Sequence, residues 1–76
     1  MFLPSHSIYL VKKDGTRENV CMTDCSTKKE VREEVKDLIK YYSKTMDTSI
    51  YVKAQYVDRN DEVLYECTIE ECLNEQ

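Results

Sequence analysis

The sequence holds one glycine, one proline, one histidine and no tryptophan in its 76 residues. Each shortage excludes something. A phosphate-cradling loop needs several glycines, so the glycine-rich nucleotide motifs are absent. There is no His-Glu pair and no Gly-x-Ser-x-Gly elbow. No run approaches the roughly 18 apolar residues that a membrane-spanning helix requires. Positive charge is also in deficit. Lys plus Arg is 11 against 15 Asp plus Glu, for a net charge of −4 and a pI of about 4.9. That balance argues against a generic binder of phosphate backbones. The length allows a single small domain, 1–76, and no large enzyme scaffold.

What is present reads as a folded chain. Hydrophobic residues make up 41% of it, and six of its seven aromatic residues are tyrosine. A domain of this size buries only about 60–65% of its unfolded surface. Ordering costs about 1.5 kcal/mol per residue, so burial and entropy nearly cancel and every apolar face has to be used. A docked partner or a homodimer would help.

Two hairpins and a helix are legible. Ser7–Lys13 and Arg17–Met22 flank Asp14-Gly15, a strong hairpin signal because glycine tolerates positive φ. A three-residue loop, Lys13-Asp14-Gly15, sets Ile8 opposite Val20 and Leu10 opposite Glu18. Ile8, Leu10, Val20 and Met22 then share one face. Thr27 and Glu30 form a capping-box pattern. Val31, Val35, Leu38, Ile39, Tyr42 and Met46 follow at helical spacing, which predicts a helix over 27–45. Thr48–Asp58 alternates, with Ile50, Val52, Ala54 and Tyr56 on one side and Tyr51, Lys53, Gln55 and Val57 on the other. A turn at Arg59–Glu62, with Asn60-Asp61 as its loop, returns the chain along Val63–Thr68, pairing Tyr56 with Tyr65, Ala54 with Cys67 and Val52 with Ile69. Thr68 and Glu71 repeat the capping pattern and open a helical turn over 69–74. Ser-Ile-Tyr occurs at 7–9 and 49–51 without the fixed period of a repeat.

The expected architecture is α+β, ββαββ(α): a four-stranded antiparallel sheet with one long helix across one face and a short C-terminal turn. One helix cannot cover two faces. The second face, carrying Tyr9, Tyr51, Val57 and Leu64, is therefore the expected partner surface.

Charge is unevenly distributed. Residues 47–76 carry two bases against eight acids. Glu62, Glu66, Glu70 and Glu71, with the tyrosine-bearing face and Tyr41 on the helix, are the candidate partner-binding residues. The resulting expectation is a non-enzymatic protein-binding module, an inhibitor or regulator, whose partner handles nucleic acid. Small acidic inhibitors of this kind are typical of phages and mobile elements, anti-CRISPR inhibitors among them. The helix supplies the alternative. Lys29, Arg32, Lys36 and Lys40 lie on one flank of its apolar stripe and could meet phosphates.

The four cysteines supply a third reading. Cys21 and Cys25, and Cys67 and Cys72, each straddle a strand-to-helix junction and could converge on zinc. The spacings are poor for zinc knuckles, however, and no glycine turn accompanies them. His6 beside Cys21 or Cys25 would be the only nucleophile–base pairing, and it has no orienting third group. The expectation is no cofactor and no catalysis. The start of the chain, Met1-Phe2-Leu3-Pro4-Ser5-His6, lacks a basic region and a long apolar core, so it does not read as a secretion signal. A cytoplasmic location with reduced thiols follows.

Overall fold

The computed structural model describes residues 5–74. The N-terminal part of the segment read for a secretion signal, 1–4, lies outside the described residues, as do 75–76. The elements are β1 (Ser7–Lys12), β2 (Arg17–Met22), α1 (Lys28–Tyr42), a 3-10 turn (Thr48–Ile50), β3 (Tyr51–Val57), β4 (Val63–Thr68) and α2 (Ile69–Leu73). The four strands form one antiparallel sheet in the order β2-β1-β3-β4. The two hairpins lie back to back through their first strands, so β2 and β4 are the edges.

Both hairpins close in the same way. In the first, Lys12 N–H donates to the Thr16 carbonyl and Gly15 N–H to the Lys12 carbonyl. In the second, Asp58 N–H donates to Glu62 and Asp61 N–H to Asp58. Each loop thus has three residues, one more than the expected Asn60-Asp61 in the second, with the third in the left-handed region: Gly15 at φ 90° and Asp61 at φ 63°. The Asp58 carboxylate secures the second loop by accepting from the N–H groups of Asn60 and Glu62. The two Ser-Ile-Tyr segments do not occupy equivalent places in these hairpins.

Helix α1 starts where the capping pattern places it. The Thr27 hydroxyl accepts from Glu30 N–H. The Glu30 carboxylate reaches back one residue further than a capping box requires, to Ser26 N–H at 2.8 Å. The helix ends at Tyr42, three residues before the expected end, and the chain turns through Ser43–Met46. Met46 consequently leaves the apolar stripe. Val31, Val35 and Ile39 are buried and pack on Ile8, Leu10, Ala54 and Tyr56 of the central strands. The short α2 joins them, inserting Ile69 and Cys72 into the same core. Its capping box is complete: Thr68 accepts from Glu71 N–H, and the Glu71 carboxylate accepts from Thr68 N–H.

Three register shifts correct the pairing expected from alternation. The first hairpin keeps Leu10 opposite Glu18, but a bulge places Ile8 opposite Cys21 instead of Val20. Val20 and Cys21 both pack against the core, and Met22 turns out to 56% exposure. A second shift sets Lys12 opposite Tyr51 while Val11 faces Lys53. Val52 is thereby left out of the core and the Val52–Ile69 pair is not made. The third shift, near Val57, pairs it with Val63 and leaves Leu64 as the extra residue. Bulges re-aim side chains in this way because period-two alternation fails at the inserted residue.

Gly15 has open space where a Cβ would sit, so its replacement is a backbone effect alone. Gly15→Ala should destabilise the chain by about 1 kcal/mol through left-handed strain. Urea unfolding checks this, with a lower midpoint at an unchanged slope. Asp61→Gly relaxes the corresponding position but removes an Arg17 partner, so its midpoint should move less.

Candidate functional site

The face away from α1 is not the bare apolar surface that one helix would leave. Across its rows stand Asn19, Tyr9, Gln55 and Glu66, then Arg17, Val11, Lys53 and Thr68. Arg17 rises from the β2 edge and lays its guanidinium over the Tyr9 ring, 4.4 Å from the centroid. It continues to the Gln55 side-chain oxygen at 3.4 Å and to both carboxylate oxygens of Asp61 at 3.1 Å. Gln55 donates onward to Glu66, which Lys53 also pairs. A polar strap therefore crosses all four strands. Exposed ion pairs contribute only about 0–1 kcal/mol each. The strap's physical effect is to set the Arg17 guanidinium over the Tyr9 ring, where the cation is attracted to the π face.

The expected partner residues separate accordingly. Tyr51, expected on the open face, is 6% exposed and points into the core, because the bulge beside it reverses its facing. Val57 keeps its side of the sheet but is only 2% exposed. Tyr9 is half-buried beneath Arg17. Leu64, Tyr41, Glu62, Glu66, Glu70 and Glu71 are exposed. Four of them cluster on β4 and α2 with Val63 and Leu73, which are also exposed. Glu62 leads into β4 and completes that edge. Tyr41 stands apart on α1, edge-on to Tyr42. Bulges at both ends of β3 were not legible in the sequence, since no glycine marks either one.

The basic flank of α1 is not a row of free cations. Lys29 and Lys40 are exposed, but Arg32 and Lys36 are half-buried and each makes an interaction within the chain. The cysteines are all unbridged thiols. Among the described residues, no three of the His, Cys, Asp and Glu side chains gather into a metal-binding group. His6 turns toward Asp24: its Nδ1 is 3.0 Å from Asp24 Oδ1 and 2.9 Å from Ser5 Oγ, and its ring stacks on Tyr56. Its backbone carbonyl accepts from Thr23 N–H. Burial first, then the Glu34 carboxylate, pushes the Cys21 and Cys25 thiols up, away from the nucleophilic thiolate.

A shallow depression of 380 Å³ lies at one end of the open face, lined by Ser5, Ser7, Tyr9, Met22, Val57, Asp58, Arg59 and Asp61. Its carboxylates are already committed, Asp58 to its own turn and Asp61 to Arg17. Among the described residues, no helix is long and apolar enough to cross a membrane. No protein-family model, curated protein or solved structure matches the chain.

Tyr51 is the most perturbed phenol. Its hydroxyl donates to Glu18 Oε2 at 2.6 Å, and Lys12 Nζ lies 2.6 Å from the other carboxylate oxygen. The hydrogen bond to Glu18, with burial, pushes the phenol up to about 12. The Lys12 and Tyr51 hydrogen bonds hold the Glu18 carboxyl below its ordinary value. A phenol raised in the folded state favours folding below about pH 10, and that contribution disappears as pH climbs toward 12. The Glu18 contribution is present above its ordinary pKa and lost as acid protonates it. Burial also pushes the Tyr56 phenol up, so tyrosinate absorbance should show more than one late-titrating tyrosine, with the component near pH 12 absent in Tyr51→Phe. That variant should also lose less stability between about pH 10 and 12.

Proposed function

We propose that the chain is a non-enzymatic protein-binding module, an inhibitor or regulator, that engages its partner along the acidic edge formed by β4 and α2. The observation that carries this reading is the character of β4. It closes the sheet on one side, and an edge strand leaves a row of backbone N–H and C=O groups outside the ladder. Val63, Leu64 and Leu73 add exposed apolar area there. Glu62, Glu66 and Glu70 surround it with negative charge, and Glu71 contributes while capping α2.

The charge selects the kind of occupant. Proteins commonly protect an edge with lysine or proline, and Val63–Thr68 contains neither. Carboxylates instead repel a second copy of the same edge and attract a basic segment. Complementary charge of this sort steers encounter and raises the association rate. An extended basic segment could add to β4 through main-chain bonds, with the glutamates reading its lysines and arginines. Basic segments and grooves are what nucleic-acid-handling proteins present, so mimicry of a polyanion is the mode of inhibition this edge suits.

The test is capture from native host lysate on the immobilised chain, followed by titration of the purified partner. Reversing Glu62, Glu66 and Glu70 together to lysine should weaken Kd at least tenfold and flatten its salt dependence. Glu71 is left intact because it caps α2. Equal affinity for wild type and variant removes the acidic edge from the mechanism.

A further inference from the structure

The strongest unassigned feature lies beneath that edge and does not depend on what the edge binds. Cys67, at the end of β4, and Cys72, in α2, are both buried, with their sulfurs 3.1 Å apart. A disulfide requires about 2.05 Å, so the sulfurs need to close by only about 1 Å. The short α2, too brief to persist undocked, brings them together by turning back onto the core. We propose that Cys67 and Cys72 are a reversible intrachain disulfide site that clasps α2 to β4, and that the thiols seen here are its reduced form.

The chemistry balances against a low-molecular-weight disulfide of the glutathione class. The Cys67 thiolate attacks one sulfur of that disulfide, giving a mixed disulfide and one small thiolate. Cys72 then gives its proton to solvent, and its thiolate attacks the Cys67 sulfur and expels the second small thiolate; the two small thiolates take up the protons that Cys67 and Cys72 released. Two protein thiols are oxidised to one disulfide, and one small disulfide is reduced to two thiols.

The surroundings favour this order. The hydrogen bond between the two sulfurs lowers the Cys67 thiol and raises the Cys72 thiol; Arg32 favours the thiolate at both, and Lys28 adds to that at Cys67. Cys21 and Cys25 have the opposite setting beside Glu34. Access requires α2 to lift. The capping box and the burial of Ile69 and Cys72 hold it down, and segments of this size open locally before the sheet does.

The sequence makes the test clean. Arg59 is the last basic residue, so trypsin releases 60–76 with Cys67 and Cys72 and without Cys21 or Cys25. The full chain is equilibrated in reduced and oxidised glutathione at graded ratios, acid-quenched and digested without reductant. Peptide 60–76 should lose two hydrogens at ratios where Cys21 and Cys25 remain thiols or carry only glutathione. Added reductant should restore it. In Cys72→Ala the glutathione adduct should remain on Cys67. Closure should slow amide exchange across 69–73 by about tenfold, since the bond removes open conformations of a short loop.

A wild-type peptide that stays reduced, or that stops at a stable glutathione adduct, overturns the site. That result stands even if Cys72→Ala does not fold. A disulfide that leaves exchange across 69–73 unchanged overturns the clasp.

Discussion

The packing of Val31, Val35 and Ile39 onto Ile8, Leu10, Ala54 and Tyr56 is the interaction on which the rest of the structure depends. Fully burying one such aliphatic side chain is worth about 1.5–3 kcal/mol, and a chain this small has few of them. The helix must therefore lie over β1 and β3, where both hairpins contribute side chains. That placement makes the first strand of each hairpin central and the second an edge. It also leaves room beside α1 for α2 to dock Ile69 and Cys72.

Covering one face so completely leaves the other to be closed by different means. Arg17, Gln55, Asp61, Lys53 and Glu66 do this with hydrogen bonds and ion pairs that span the strands. Their energies are small individually, but Arg17 lies over Tyr9, and Arg17 and Lys53 flank Val11, so the broad apolar surface that an uncovered sheet would offer is interrupted. Exposed apolar area stands instead at β4 and α2, where Val63, Leu64 and Leu73 lie among exposed glutamates.

Tyr51 and Cys67 show how buried polar and sulfur groups settle in such a core. Tyr51 keeps its hydroxyl bonded to Glu18 while its ring fills space near Tyr42 and Ile50, so its burial leaves no donor unsatisfied. Cys67 and Cys72 satisfy each other. Tyr56 solves the same problem through the Cys25 backbone, donating to its carbonyl at 3.3 Å and accepting from its N–H at 2.7 Å. Each polar tip is met by a group from another element, so the interior couples the hairpins to the segment leading into α1.

Much of this was written in local sequence. Asp14-Gly15 determined the first loop, the spacing of Val31, Val35 and Ile39 determined the helix, and Thr68 with Glu71 determined where α2 starts. Each of these signals acts within a few residues, through φ preference, helical period or a cap. The pairing of Tyr56 with Tyr65 and of Ala54 with Cys67 was legible too, because apolar residues met across a short loop. Tertiary structure alone decided the facing of Tyr51, the burial of Val57, the exposure of Met22 and the convergence of two cysteines. A bulge reverses alternation at the inserted residue, and no glycine marks the one beside Tyr51. Likewise, Arg17 finds Asp61 across the whole sheet, and nothing local to either residue records that distance.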